Sequence, residues 1–144
     1  METGVGVVDV KSSPVYFHVQ RNSTYNLNGT TIPFQIERLN VGGGMNITSG
    51  IFTAPKSGIY FFSFSGIKTT AANYLDVELH HNSNLIARAY GTGETGYLTA
   101  ALSSTLSVNS GDQISLRLNH GQLSDNNGYY TNFNGILLQE EMLS

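Results

Sequence analysis

The chain has 144 residues, a net charge of −3 and only 12% charged residues, against roughly 25% in an average soluble domain. This composition offers no basic surface for nucleic acid, and the absence of cysteine excludes disulfides and thiolate chemistry. No stretch approaches 18 consecutive apolar residues, so the sequence predicts no membrane span and one domain with a core of its own.

The first 13 residues carry little pattern and are predicted to be a flexible lead-in, followed by one globular domain at 14–144. The stretch ETGVGVVDVK after Met1 has neither the basic n-region nor the long apolar h-region of a signal peptide. Either the protein is not secreted or a secretion signal has been removed from this sequence, and we expect the second.

Short alternating segments follow, separated by clusters of Gly, Asn and Ser. VYFHVQ at 15–20 is predicted to be a strand, and RNSTYNLNGTT after it a polar loop. PFQIERLN at 33–40 is predicted to be extended, and MNIT and GIFTA to be two short strands.

The segment GIYFFSFSG at 58–66 carries the strongest pattern of the chain. Residues two apart share one face of a strand, so Tyr60, Phe62 and Phe64 are predicted to line one face together. The opposite face also carries apolar residues, among them Phe61, which is more apolar surface than the core of a single sandwich needs.

Alternation also predicts a hairpin in which YLDVELHHN at 74–82 returns as NLIARAYGT at 84–92 across a tight NSN connection. Leucine and valine side chains of the first strand are predicted to face the core. Asp76, Glu78 and His80, at the intervening positions, are predicted to face water.

A second hairpin is predicted at 97–121, with its turn at NSGD, and a last strand at 129–141. No window of a dozen residues shows the 3.6-residue period of a helix. About nine or ten short strands at this spacing predict an antiparallel sandwich or barrel.

A longer spaced pattern then points to a family. Five, eleven and five residues separate Phe34, Asn40, Phe52 and Gly58, and the aromatic strand follows at once. This pattern resembles the signature of the complement C1q globular head domain, a branch of the tumour necrosis factor-like jelly rolls. GIFTAPKSGIYFFSF, LSVNSGDQISL and FNGILL are similar to further motifs of that family, in the same order, and the resemblance covers residues 15 to 140.

The resemblance implies an all-β, ten-strand antiparallel jelly-roll sandwich, a secreted extracellular protein and a compact homotrimer. The second apolar face of the aromatic strand would then be a subunit contact. Met45 stands where the family usually carries an aromatic residue, which predicts local repacking. The residues expected in the core or trimer contact are Phe52, Tyr60, Phe62, Phe64 and Phe133.

The resemblance also implies calcium as the candidate metal, because some domains of this family bind it near the top of the trimer. The loop GQLSDNNGYY offers Asp125 and the loop GTGETG offers Glu94 as carboxylate ligands. The alternative is that SDNNG is only a turn, since Asp, Asn and Gly are the residues that turns select.

Tyrosines and amides that border these loops are candidates for binding a ligand on a rigid scaffold. The predicted ligand-binding residues are Tyr97, Tyr129, Tyr130, Asn126, Asn127 and Arg88. The tyrosines would stack on sugar rings, the amides would bond hydroxyl groups, and the arginine would pair with an acidic ligand. The alternatives are that Tyr130 begins the core face of the last strand and that Arg88 is solvated or salt-bridged.

No catalytic motif is found, and the chain is predicted not to be an enzyme. A Gly-x-Ser-x-Gly elbow is missing from the sequence. Adjacent His80 and His81 point to opposite faces of a strand, so they would not chelate one metal ion. The sequons at Asn22, Asn28 and Asn46 are about as many as chance predicts, so they do not indicate glycosylation.

The leading hypothesis is a secreted, lectin-like C1q-domain protein that recognises glycans or microbial surface molecules in innate immunity. The alternative is a trimeric signalling ligand or matrix scaffold module that binds a protein receptor. A hydrolase built on a β-sandwich is the third hypothesis, and no motif supports it.

Overall fold

The computed structural model describes residues 13–68, 73–93 and 96–141, which form eleven β-strands. Within these ranges there is no helix long and apolar enough to cross a membrane. The predicted lead-in lies outside them except for Ser13. The strands are β1 (Tyr16–Tyr25), β2 (Thr30–Thr31), β3 (Ile36–Val41), β4 (Met45–Asn46), β5 (Ile51–Thr53), β6 (Gly58–Lys68), β7 (Tyr74–His81), β8 (Asn84–Thr92), β9 (Leu98–Val108), β10 (Gln113–His120) and β11 (Leu123–Glu140).

The strands form two antiparallel sheets that pack face to face. Sheet A has the strand order β9-β6-β11-β1-β3, and sheet B has the order β4-β5-β10-β7-β8, with β2 paired to β10. The predicted antiparallel sandwich is confirmed. The described strands number eleven, and two of them, Thr30–Thr31 and Met45–Asn46, are only two residues long.

The core between the sheets is built around the aromatic strand β6. The Phe62 ring lies 5.9 Å from the ring of Phe52 on sheet B and 6.4 Å from that of Phe133 on sheet A. Tyr60 stacks on Phe62 at 5.8 Å, and its hydroxyl donates to Lys56 O at 2.7 Å. The five aromatic residues that the sequence assigns to the core are all buried there.

The predicted hairpin between β7 and β8 is confirmed, but the predicted second hairpin is wrong. β9 pairs with β6 in sheet A over its whole length, whereas β10 pairs in sheet B. The turn between them crosses from one sheet to the other and is held by backbone bonds to Ala54. The Ala54 N–H donates to Asp112 O at 2.9 Å, and the Gly111 N–H donates to Ala54 O at 2.8 Å.

The polar loop predicted after the first strand begins later than expected, because β1 continues to Tyr25. Arg21 lies in this extension and is buried. Its guanidinium donates to Pro33 O at 2.8 Å and to Ser23 O at 3.2 Å, so bonds to carbonyl groups compensate for the water it loses. Burial lowers the pKa of Arg21 from its usual value.

Candidate ligand-binding surfaces

One end of the outward face of sheet A is apolar. Ile136 on β11 lies opposite Tyr16 on β1 and opposite Phe61 on β6. Leu39 on the edge strand β3 lines the same shallow depression. Leu39, Phe61 and Ile136 each expose between 36% and 49% of their surface. We call the side chains of Tyr16, Leu39, Phe61 and Ile136 the apolar face.

A hydrogen-bonded polar cluster adjoins the apolar face on the same side of sheet A. Asn132 Oδ1 accepts a hydrogen bond from Gln20 Nε2 at 2.8 Å and lies 2.9 Å from His18 Nε2. Arg38 Nε donates to Gln20 Oε1 at 2.7 Å. These polar groups satisfy one another, so the cluster is fixed by bonds within the chain.

A bulge interrupts β11, which starts at Leu123 rather than at the predicted residue 129. Within the bulge, Asn127 and Tyr129 have positive φ angles of 68° and 57°. Four backbone N–H groups therefore turn towards the Asp125 carboxylate and donate hydrogen bonds to it at 3.0 to 3.1 Å. The donors are the N–H groups of Gly128, Tyr129, Tyr130 and Thr131. Such a concavity of N–H groups is an anion nest, and the chain fills it with its own carboxylate.

The predicted calcium ligands are not seen as a pair. Asp125 is only 4% exposed, and each of its oxygens already accepts two hydrogen bonds, some of which a calcium ion would have to replace. Glu94 lies outside the described residues. In the part of the chain that the structure describes, no three His, Cys, Asp or Glu side chains are grouped to hold a metal ion. Calcium binding stays a prediction.

The six predicted ligand-binding residues do not form a single site. Four of them lie on the bulge in sheet A: Asn126, Asn127, Tyr129 and Tyr130. Tyr97 precedes β9 and is 73% exposed, whereas Arg88 lies on β8 in sheet B. Tyr130 is half exposed, so the core face of the last strand begins after it, at the buried Thr131.

The outward face of sheet B carries charged and aromatic side chains on three adjacent strands. The charged patch consists of Tyr74, Asp76 and Glu78 on β7, Arg88 and Tyr90 on β8, and Arg117 on β10. Asp76 lies directly opposite Tyr90, and Glu78 lies directly opposite both Arg88 and Arg117. The register therefore places each carboxylate between larger side chains of the neighbouring strands.

The prediction that Asp76 and Glu78 face water is wrong. Both are on the outward face, but they are only 4% and 7% exposed because their cross-strand neighbours cover them. Glu78 Oε2 lies 3.2 Å from Arg88 Nη2, and Glu78 Oε1 lies 2.9 Å from His80 Nε2. Glu78 is thus paired on both oxygens.

Within the described part of the chain, the carboxylate of Asp76 has a hydrogen-bond partner on only one of its two oxygens, unlike that of Glu78. Its Oδ2 accepts a hydrogen bond from Asn119 Nδ2 at 2.9 Å. Its Oδ1 is buried and has no hydrogen-bond partner among the described residues, with Arg88 Nε 4.0 Å away. A buried carboxylate oxygen without a donor destabilises the folded state, so this atom is a strong acceptor for any group that reaches it.

A row of rings borders Asp76. Tyr74 stacks on the imidazole of His120 at 3.9 Å, and its ring lies 5.5 Å from that of Tyr90. Tyr90 is 57% exposed, so much of its ring is open to solvent. Tyr74 and Tyr90 are not among the site residues predicted from the sequence, although alternation along the two hairpin strands places both on the outward face.

The adjacent histidines bond to different carboxylates. His80 contacts Glu78, whereas His81 Nε2 lies 2.8 Å from Asp112 Oδ2 in the turn that connects the sheets. The hydrogen bond from His81, followed by that from the Asn109 backbone N–H, lowers the pKa of Asp112 below its usual 3.8. His81 therefore has a structural partner of its own.

Comparison with known proteins identifies the family. The C1q domain family matches residues 16–138, a span that contains nearly all of the described strands. This chain belongs to the C1q domain family. The C1q domain is 33% identical over 110 residues to complement C1q tumor necrosis factor-related protein 3 of Mus musculus, which covers 76% of this chain. The chain spans 45% of the length of that relative.

Two solved structures share the fold of this C1q domain. The globular domain of zebrafish complement 1qA has a TM-score of 0.74 at 18% identity, covering 88% of this chain and 99% of that one. The Eiger TNF of S. frugiperda has a TM-score of 0.74 at 9% identity, covering 92% and 97%. At these identities the similarity shows a shared fold, the tumour necrosis factor-like jelly roll implied by the sequence.

Proposed function

We propose that this C1q domain is a secreted, non-enzymatic recognition protein that assembles as a homotrimer and binds glycans on microbial surfaces. The observation that carries the proposal is the difference between the two outward faces of the sandwich. Sheet A exposes a contiguous apolar surface, which suits contact with further copies of the chain. Sheet B and the bulge of β11 expose tyrosines beside hydrogen-bonding groups, which suits a ligand rich in hydroxyl groups.

The apolar face supports assembly. Phe61, Ile136 and Leu39 form one exposed patch, and such patches mark interaction sites more often than scattered apolar residues do. In a closed ring of three copies, each copy would bury this patch against its neighbour. The contact would involve the second apolar face of the aromatic strand, for which a single sandwich core has no use.

The ligand surface would draw on the predicted residues. Tyr129 and Tyr130 are exposed on a bulge that Asp125 holds rigid, next to the amides of Asn126 and Asn127. Exposed rings and amides on a rigid scaffold stack on sugar rings and bond their hydroxyl groups. Three copies in one assembly would raise the avidity for a repetitive microbial surface well above the affinity of one site.

A second candidate is a signalling ligand or scaffold module that binds a protein receptor. One observation favours it: Leu85 and Ile86 expose 45% and 37% of their surface on β8, an edge strand of sheet B. Exposed apolar side chains on an edge strand suit a protein partner better than a sugar. In that case the binding energy would come from the edge of sheet B.

The test is binding of the purified wild-type chain to a panel of bacterial polysaccharides, lipopolysaccharide and sialylated glycans, with and without a calcium chelator. Light scattering on the same sample gives the mass of the assembly. We expect a mass of three chains and selective binding to some members of the panel. A folded trimer that binds no member contradicts the glycan proposal and favours a protein receptor.

A further inference from the structure

We propose that the charged patch on sheet B, centred on Asp76, is a binding site for a neutral saccharide. The inference rests on the proposed glycan recognition and assigns it to a surface on the opposite side of the sandwich from the bulge of β11. Three properties of the patch carry it: a buried acceptor without a donor, an exposed arginine close to that acceptor, and an exposed ring beside it.

Asp76 Oδ1 is the unsatisfied acceptor. The side chain is only 4% exposed, and the bond from Asn119 holds Oδ2 while Oδ1 has no hydrogen-bond partner among the described residues. A sugar hydroxyl is a neutral donor that matches one carboxylate oxygen. Its hydrogen bond to a charged acceptor would be stronger than one between two neutral groups.

Arg88 controls access to that oxygen. Its side chain is 51% exposed, its Nη2 lies 3.2 Å from Glu78 Oε2, and its Nε lies 4.0 Å from Asp76 Oδ1. If the guanidinium turned towards a ligand oxygen, Glu78 Oε1 would keep its contact with His80 Nε2 at 2.9 Å, and the ligand would replace the hydrogen bond that Arg88 gives up. The same rotation uncovers Oδ1, so one ligand with adjacent hydroxyl groups would accept from Arg88 and donate to Asp76.

The charges of the patch select a neutral ligand. The patch holds two carboxylates, Asp76 and Glu78, and two arginines, Arg88 and Arg117, both of which lie directly opposite Glu78 on the neighbouring strands. The formal charges cancel, so neither an anion nor a metal cation gains a net attraction. What remains is a mixture of fixed donors and acceptors that suits hydroxyl groups.

Tyr90 supplies the apolar contact that a pyranose ring needs. It lies directly opposite Asp76 and is 57% exposed, and the centre of the Tyr74 ring lies 5.5 Å from that of Tyr90. The C–H face of a sugar would lie on this ring while its hydroxyl edge faces Asp76. The Asp125 bulge lacks this combination, because its carboxylate is occupied by four backbone N–H groups.

The test uses the full chain on an array of neutral oligosaccharides terminating in mannose, galactose or N-acetylglucosamine, with sialylated versions beside them. Tyr90→Ala and Arg88→Ala are each expected to weaken binding by about tenfold. Tyr90→Phe keeps the ring and is expected to bind like wild type. Gln113→Ala, an exposed residue on the same outward face, is the control for unspecific effects.

The outcomes separate this site from the broader proposal. Binding that a calcium chelator leaves unchanged, and that falls with Tyr90→Ala but not with Tyr90→Phe, supports the site. Binding that is lost only in Tyr130→Ala, or that needs calcium or sialic acid, overturns the site and leaves glycan recognition standing. A folded wild-type trimer that binds no glycan overturns both. Melting temperatures close to that of wild type exclude unfolding of the variants.

Discussion

The outward positions of sheet A carry Phe61 and Ile136, whereas those of sheet B carry Asp76 and Glu78. Both sheets bury their other face in the same core, and their outward faces differ in the side chains they carry and in what lies opposite across the strands. On sheet A an apolar side chain faces another apolar side chain, and both stay exposed. On sheet B Glu78 faces two arginines, and the chain covers its own charges. Cross-strand neighbours therefore decide which outward side chains are covered within one chain and which stay exposed.

The largest effect is expected from a substitution in the core that both sheets share. Phe62→Ala should lower the free energy of unfolding by about 3–5 kcal/mol, because it leaves a cavity where the ring now contacts Phe17, Phe52 and Phe133. Urea unfolding measures the loss. Both trimer formation and ligand binding should fall with stability. A loss below about 1 kcal/mol would contradict the central place of this ring.

The second largest effect is expected from a substitution in the apolar face of sheet A. Phe61→Asp should weaken trimer assembly by about 100-fold or more, since it would bury an unpaired charge at each subunit contact. Ile86→Asp on the edge of sheet B is the matched control, because Ile86 is 37% exposed and Phe61 36%. Light scattering across a dilution series reports the mass. Equal masses for the two variants would contradict the proposal that the apolar face forms the trimer contact.

A smaller effect concerns the bulge. Asp125→Ala should lower the free energy of unfolding by about 2–3 kcal/mol, because four backbone N–H groups lose a charged acceptor in a buried place. Asp125→Asn keeps one acceptor oxygen and should lose less. Thermal and urea unfolding compare the three proteins. If calcium binds at Asp125, a chelator should destabilise wild type but not Asp125→Ala; without calcium binding there, it should change neither.

The smallest effect lies at the turn that joins the two sheets. The hydrogen bond from His81 holds the pKa of Asp112 below its usual value of 3.8, so the ionised carboxyl stabilises the folded state above that pH. This contribution should be lost as the pH falls from about 4 through the lowered pKa of the folded state. Unfolding measured from pH 7 to pH 2 should show a steeper acid loss for wild type than for Asp112→Asn. If stability fell equally with pH in the two proteins, the stabilising role of the ionised Asp112 would be contradicted.

Much of the fold could be predicted from the sequence because a strand has a period of two. Leu75, Val77 and Leu79 are fully buried, as the alternation predicts, and the hairpin that follows them is correct. The same alternation says nothing about which strand lies next door. It therefore failed at the turn before Gln113, where two correctly predicted strands belong to different sheets.

The candidate site was harder to predict, because it depends on the register of strands and not only on which strands are neighbours. The burial of Asp76 comes from Tyr90 and Arg88 on the other strand of the predicted hairpin, whose positions opposite Asp76 and Glu78 follow from the register of β7 with β8. For the bulge, the composition SDNNG indicated a turn, and the chain does turn there. That one carboxylate would bond four backbone N–H groups depends on the φ angles of Asn127 and Tyr129, which composition does not encode.

The position of β11 has a consequence for how the protein is made. The last strand of the chain lies in the middle of sheet A, between β6 and β1. During synthesis, β1 and β6 leave the ribosome long before the strand that joins them, so each presents an unpaired edge to the crowded cell. Closing the sheet then requires the two ends of the domain to meet, a slow step for a nascent protein. Sheet A therefore stays incomplete until β11 has left the ribosome, and until then the edges of β1 and β6 are open to wrong pairing.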